Sequence, residues 1–253
     1  MRILWANMVA KYLDENMPLS DHLEELRIRL IRFIIISVFL AFLIFPFSGY
    51  FITSITEGLT KGYDINFIAL NVIEGVKVQL QATIFLTMLF VIPSVGFYEF
   101  FMFVNPGLYP NERRLLLYTI PPAIFMFFSG VAVAYKLIIP VIVGFLIAYT
   151  KSTLNISLYL SIDQFLSFVF MLMIATGISF EFPVISAILC YLGIINPENL
   201  KKYRRHVYLA LFIVAAIVTP DPTIVSMTVI SIPMILIYEL GIIASKMVVL
   251  LRK

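Results

Sequence analysis

The chain has 253 residues, of which 61% are hydrophobic and only 13% are charged, and its mean hydropathy is +1.01. A soluble domain carries about 25% charged residues, so this composition excludes a soluble globular protein and favours a membrane protein. The apolar runs are too long and unbroken for the alternating strands of a β-barrel. They predict an all-α polytopic membrane protein, and the single cysteine, Cys190, excludes an internal disulfide.

The first sixteen residues do not resemble a secretory signal. Their apolar stretch is interrupted by Asn7 and Lys11, and no small-residue cleavage site follows it. We predict an N-terminal extension over 1–16, as a short surface helix or a disordered tail. A membrane domain is then expected over 17–245, followed by a short basic cytoplasmic tail over 246–253.

A densely charged segment, residues 17–30, precedes the first apolar run. Asp21 and Glu24 have the spacing of a capping box, and acidic residues are favoured in the first turn of a helix. Glu25 and Arg29 have the i, i+4 spacing of a favourable helical ion pair. Charge is scarce in the rest of the chain, so we predict that this segment forms one wall of a cytoplasmic docking site.

Six apolar runs follow, and each is predicted to be a transmembrane helix, which needs about 20 residues. The first run continues from the charged helix, and Pro46 is expected to kink or end it. The segment 52–76 is expected to be a polar connection, and 135–160 an exit from the membrane plus an outer loop. The last two runs are short, which implies local thinning of the bilayer or shelter inside the bundle. The predicted spans are 30–51, 78–101, 116–133, 162–189, 207–218 and 224–243.

The basic residues predict the orientation of these spans. Of the 18 lysines and arginines, 14 fall on one side of the six-span arrangement, in the terminal segments and in the loops after the second and fourth spans. Because basic residues concentrate in cytoplasmic segments, both termini are predicted to be cytoplasmic.

The sequence contains none of the motifs that would indicate an enzyme. It has no Gly-rich phosphate loop and no HExxH motif, and its two histidines, His22 and His206, are far apart. We therefore expect no catalytic residues, no metal site, no cofactor and no nucleic-acid partner.

Glu181 is the most informative residue within the predicted spans. A charge near the bilayer centre costs about 2.5–3.5 kcal/mol on insertion scales, and such residues face a cavity or the bundle interior. Three roles stay open: a protonated carboxyl hydrogen-bonded to a neighbouring helix, part of a concave surface that receives a partner or passenger segment, and a proton relay. Gly177 and Pro183 nearby permit an irregular backbone where protein shelters it.

Two acids at the cytoplasmic rim, Glu25 and Glu112, lie near membrane-level aromatic residues such as Phe103 in this topology. Both fit ordinary surface ion pairs, but together they can also accept a pair of guanidinium groups. Arginine–carboxylate forks are bidentate in a way that lysine cannot copy. Glu99 and Glu239 add to the negative field at this rim.

Several motifs resemble the TatC family, the polytopic core of the twin-arginine protein translocation system. They occur in the family's order and extend over nearly all of 17–239. The motifs are MPLSDHLEELRIRL (17–30), FVNPGLYPNERR (103–114), YLSIDQFLSF (159–168), TGISFEFP (176–183), KKYRRHVYL (201–209) and IPMILIYE (232–239).

The resemblance implies a glove-shaped bundle of six helices in the cytoplasmic membrane of a prokaryote. It implies binding of twin-arginine signal peptides through Glu25, Arg27, Phe103 and Glu112, with Glu181 on a concave intramembrane face. Implied partners are TatA/TatB-type single-span proteins with an amphipathic helix, in a larger complex that contains several copies of the chain. Transport of folded proteins would be driven by the proton-motive force, without a cofactor.

The chain departs from the family pattern at two polar positions. The pair Tyr98-Glu99 stands where Tyr-Gln is frequent, and Met227 stands where Gln is usual in the hairpin before the last span. The second departure suggests a system with a single TatA-like partner.

A function from a different class is a proton-coupled secondary carrier of small molecules that uses Glu181 as its coupling carboxylate. Polar residues concentrate at the cytoplasmic rim instead of at mid-bilayer, and the sequence shows no inverted repeat. Both observations favour the receptor over the carrier.

Overall fold

The computed structural model describes residues 19–63, 65–104, 110–154, 159–219 and 223–252, with the backbone alone at 19, 110–117, 152–154 and 251–252. The extension predicted over 1–16 lies outside the described residues. The helices are α1 (Leu19–Ile44), α2 (Ser48–Thr60), α3 (Glu74–Val91), α4 (Phe97–Val104), α5 (Pro110–Val133), α6 (Ile139–Leu154), α7 (Ile162–Ser179), α8 (Phe182–Tyr191), α9 (Pro197–Lys202), α10 (Arg204–Val218) and α11 (Ile224–Arg252), and the strands are β1 (Asn66–Ile68) and β2 (Tyr159–Ser161).

Within the described residues, five helical stretches are long and apolar enough to cross a membrane, which confirms an all-α polytopic membrane protein. The fifth predicted span is α10, which has only 15 residues, fewer than a crossing normally needs. The last span is not short as predicted, because α11 continues through the basic segment and reaches 29 residues. The five stretches are Ser20–Thr60, Glu74–Val104, Tyr118–Lys151, Ile162–Tyr191 and Ile224–Leu250.

The polar connection predicted over 52–76 begins later than expected, because helical structure continues to Thr60. Pro46 lies in the first turn of a short 3-10 helix, Phe45–Phe47. Ile44 and Phe47 on its two sides keep helical backbone angles, so the 3-10 segment accommodates the proline and the helical stretch continues to Thr60. The Ser48 hydroxyl donates to the Phe45 carbonyl at 2.7 Å.

The loop predicted over 135–160 is also helical for most of its length. A π-helical segment, Ala134–Ile138, joins α5 to α6, which ends at Leu154. The π-helical segment directly before Pro140 replaces the regular α-helical hydrogen bonds there, so the helical stretch continues past both Pro140 and Lys151.

Helix α7 lies at the centre of the bundle, whereas α1 lies at its edge. In the most apolar stretch of Ile162–Tyr191, 61% of the residues are buried inside the protein, but none is buried in the corresponding stretch of Ser20–Thr60. Helix α7 contacts α3, α5, α10 and α11, and its Phe170 ring stacks on Phe85 of α3 with the ring centroids 4.3 Å apart. The exposed apolar face of α1 is therefore the face that lipid or a partner helix covers.

The carboxylate of Glu74 holds together the two chain segments that carry the short strands β1 and β2. Strands β1 and β2 pair in parallel, and Glu74 at the start of α3 accepts hydrogen bonds from the Ser161 hydroxyl at 2.8 Å and the Asp163 N–H at 3.3 Å. It also accepts from the Asn71 N–H at 3.2 Å. Lys77 pairs with Asp163 at 2.6 Å, so α3 and α7 are held in register at this end.

Helices α5 and α7 approach closely at Gly130. A Cβ atom at this position would lie 2.7 Å from Cγ of Phe180 and 2.9 Å from the Thr176 carbonyl oxygen. We expect Gly130→Ala to lower the free energy of unfolding by about 1–3 kcal/mol, because the added methyl group overpacks the interface. Thermal unfolding of the purified protein in detergent measures this loss.

The matched control is Gly49→Ala in α2, where a Cβ atom would meet nothing within 4 Å. It should be neutral or stabilising by up to about 1 kcal/mol, because alanine favours the helix. Equal unfolding temperatures for the two variants would contradict the close approach of α5 and α7.

Candidate functional site

The candidate site lies where the charged half of α1 packs against α4. Its acids are Glu25 on α1 and Glu99 on α4, and both are buried although they carry ionisable groups. Buried carboxylates are stable only when they are paired or hydrogen-bonded. The pairing groups come from α1 itself, one helical turn further along.

Arg29 bridges the two acids. Its Nε and Nη2 atoms donate to Oε1 of Glu25 at 2.9 and 2.5 Å, and its Nη1 atom donates to Oε2 of Glu99 at 2.7 Å. Arg32, one turn further along, donates from Nη1 to the other oxygen of Glu99 at 2.9 Å. The guanidinium of Arg29 thus fixes the packing of α1 on α4, because its planar fork can bind two carboxylates at once.

Glu25 keeps one carboxylate oxygen unused. Its Oε2 atom is buried and has no hydrogen-bond partner among the described residues. The closest cationic candidate is Nδ1 of His22, at 3.8 Å, which is too long for a hydrogen bond. A buried carboxylate oxygen without a donor is costly, so Glu25 keeps unused capacity to accept an N–H group.

An aromatic stack borders the unused oxygen. The rings of His22 and Phe103 lie 4.2 Å apart at an angle of 14°. Next to them is a cavity of about 220 Å³ between α1 and α4, with a mostly apolar lining. The cavity is lined by Leu26, Arg29, Leu30, Phe33, Gly96, Glu99, Phe100 and Phe103.

The structure brings together only part of the predicted site. Glu25 and Phe103 are in the cluster, but Arg27 is outside it: its side chain is 70% exposed and pairs with Glu24 at 3.4 Å. Glu112 lies in the first turns of α5, and its side chain is outside the described residues. Glu239 is used within the fold, where it accepts from Tyr208 at 2.5 Å and from Arg204 and so joins α10 to α11.

Sequence reasoning missed the roles of Arg29 and Arg32 in this site and treated Glu99 only as part of a negative field. The spacing in the sequence could have indicated that Glu99 belongs to the site, because Glu99 and Phe103 are four residues apart on one helix and therefore share a face. Arg29 and Arg32 are three residues apart on another. The sequence alone does not indicate that α1 packs against α4, which is what brings these two pairs together.

Glu181 belongs to a separate part of the bundle, in the turn between α7 and α8. Its side chain is buried, and its Oε1 atom has no hydrogen-bond partner among the described residues. Pro183 is the second residue of α8, so the backbone is irregular at this point, as the sequence predicted. The part of the chain that the structure describes contains no group of three or more His, Cys, Asp or Glu side chains that could hold a metal ion.

Known proteins share both this sequence and this fold. Residues 21–233 match the family model described as TatC, Sec-independent protein translocase protein. The chain is similar to the TatC proteins of Aquifex aeolicus (strain VF5), at 32% identity over 91% of this chain and 95% of the relative, and of Escherichia coli (strain K12), at 33% over 92% and 90%. A crystal structure of the twin-arginine translocase receptor TatC superposes with a TM-score of 0.81 at 31% identity, over 90% of this chain and 99% of that one.

The shared use of Arg29 predicts the effect of a conservative substitution. Arg29→Lys keeps the charge but cannot bond both Glu25 and Glu99, so we expect a loss of about 1–3 kcal/mol of stability from the broken charged hydrogen bonds. Thermal unfolding in detergent is the measurement. Arg27→Lys, at an exposed position on the same helix, should leave the unfolding temperature unchanged, and an equal loss for both variants would contradict the bridge.

Proposed function

Because the chain belongs to the TatC family, and is therefore a component of the twin-arginine route of protein transport, we propose that it is the receptor and scaffold of this translocase. In this role it binds twin-arginine signal peptides of folded proteins at its cytoplasmic face. It recruits TatA/TatB-type single-span partners, and the proton-motive force drives export. The role is one of recognition and assembly, so we assign no catalytic residue.

The observation that carries the proposal is the unused Oε2 atom of Glu25. The atom is buried near the His22–Phe103 stack, whose Phe103 ring lines the cavity between α1 and α4, and Arg29 holds the carboxylate in a fixed orientation. A guanidinium group is the ligand that such a rigid carboxylate recognises best, because its planar N–H donors match the geometry and stack on aromatic rings. By resemblance to the family, Glu112 supplies a second acid and Arg27 a further contact to the peptide.

The rest of the chain fits a scaffold in the cytoplasmic membrane of a prokaryote. The distribution of basic residues supports cytoplasmic termini and six crossings, with α10 as the short fifth crossing. The exposed apolar face of α1 offers a surface for single-span partners or for another copy of the chain. The buried Glu181 would lie on the intramembrane face that receives a signal peptide or a partner helix.

Binding of a fluorescent peptide with an Arg-Arg pair to the purified full-length protein tests the receptor role. Glu25→Gln and Glu112→Gln should each weaken binding at least tenfold, because truncating one partner of a buried charge pair costs about 2–5 kcal/mol. Fluorescence anisotropy measures the dissociation constants. Glu198→Gln, at an exposed acid on α9, is the matched control and should bind like the unchanged protein.

A change in the peptide tests the same site without disturbing the fold. Replacing Arg-Arg by Lys-Lys keeps the charge but removes the fork, so binding should weaken severalfold. Equal affinity for the two peptides, or unchanged binding after both Glu25 and Glu112 are replaced, would contradict the receptor function.

A secondary carrier is the second candidate function, and the buried Glu181 with its unpartnered Oε1 atom is the observation that favours it. A carrier would take up a solute in proteoliposomes under a pH gradient with no other protein present, and Glu181→Gln would abolish that uptake. For a receptor we expect no uptake in either case. Uptake that depends on Glu181 would favour the carrier instead.

A further inference from the structure

We propose that Glu99 is a further arginine-binding acid of this site, and that the chain's own Arg32 occupies it until a guanidinium group of the signal peptide displaces that side chain. The inference rests on the proposed receptor function and extends it. It concerns a residue at which this chain departs from the frequent Tyr-Gln pattern of the family.

The two arginines on Glu99 are held very differently. The Arg29 side chain is 14% exposed and is bonded to both acids, so it cannot leave without stranding two buried carboxylates. The Arg32 side chain is 53% exposed, and its described hydrogen bond is the one to Oε1 of Glu99. The half-exposed Arg32 side chain can therefore swing into water once a guanidinium group of the peptide supplies Glu99 with the donor that Arg32 withdraws.

The displacement would exchange one guanidinium group for another. Glu99 would keep a donor on Oε1 and its bond from Arg29 on Oε2, so no buried oxygen would lose its partner. Arg32 would gain full hydration in return. Glu99 lines the cavity of about 220 Å³, which gives the incoming side chain room beside the rings of Phe100 and Phe103.

The charges of the cluster agree with this exchange. Glu25 and Glu99 balance Arg29 and Arg32, so the resting cluster is neutral when His22 is uncharged. Within this cluster, a peptide with two guanidinium groups then meets no attraction beyond the free oxygen of Glu25. When Arg32 swings away, the cluster gains a net negative charge where the second guanidinium arrives. Arg32 would thus act as an internal competitor that a weakly cationic peptide cannot displace.

The test is a double-mutant cycle on the full-length protein, with the fluorescent Arg-Arg peptide as probe. Arg32→Gln should tighten binding about two- to fivefold, because it removes the competitor. Glu99→Gln should weaken binding about tenfold. In the Glu99→Gln background, Arg32→Gln should bring no tightening, because the acid that it frees is absent.

The controls separate this effect from net charge and from folding. Arg205→Gln removes an exposed cytoplasmic charge outside the cluster and should not tighten binding. Arg32→Lys keeps the charge with a weaker hold on Glu99, so it should tighten binding less than Arg32→Gln. Unfolding temperatures are measured for every variant, since a purely structural Arg32–Glu99 pair predicts lower stability and no gain in affinity.

Two results would overturn this inference without affecting the receptor function. One is an affinity for the Arg-Arg peptide that is unchanged or weaker in Arg32→Gln. The other is that Arg32→Gln raises the affinity equally with Glu99 and with Gln at position 99. In both cases a loss of binding in Glu25→Gln would leave the receptor function standing. If the unchanged protein does not bind the Arg-Arg peptide at all, the receptor function fails, and this inference fails with it.

Discussion

The guanidinium group of Arg29 is the interaction on which the candidate site depends. Two carboxylates are buried within reach of the membrane, where an unpaired charge would be very costly. The guanidinium group of Arg29 donates to the Glu25 carboxylate at 2.5 and 2.9 Å and to the Glu99 carboxylate at 2.7 Å. This bridge fixes the charged half of α1 against α4, whereas α1 as a whole also packs on α3 and leaves its most apolar stretch exposed.

That dependence explains how a helix at the edge of the bundle can carry a precise binding group. The centre of the bundle is α7, whose contacts with α3, α5, α10 and α11 supply the rigid body. Helix α1 contributes mostly a lipid-facing surface, with Phe42 exposed to 78%. Its charged end is held by ion pairs, and its apolar part leaves a large surface exposed. In the proposed receptor, the same helix would bind the signal peptide at its charged end and a partner along its apolar face.

The sequence was sufficient for the helical class and for the short fifth helix, because both follow from the length of the apolar runs. It failed at Pro46 and Pro140, which were expected to interrupt helices. Short 3-10 and π-helical segments, Phe45–Phe47 and Ala134–Ile138, accompany these prolines, and the helical stretches continue past them. Glu25 and Phe103 could be named from pattern and resemblance. The role of Arg29 between Glu25 and Glu99 could not, because local spacing reveals the pair within α1 but not the helix that packs against it.

The two candidate carboxylates meet opposite environments, and this decides what each can recognise. Glu25 is held in one orientation by Arg29 and keeps one oxygen unpaired near the His22–Phe103 stack, so it suits a charged, forked donor. Glu181 lies in a buried turn between two membrane helices with no such cation among the described residues, so it suits a neutral hydrogen-bond partner or a polar helix face. In the proposed receptor, recognition of charge therefore belongs to the cluster around Glu25, and Glu181 would add selectivity for the segment that the bundle interior receives.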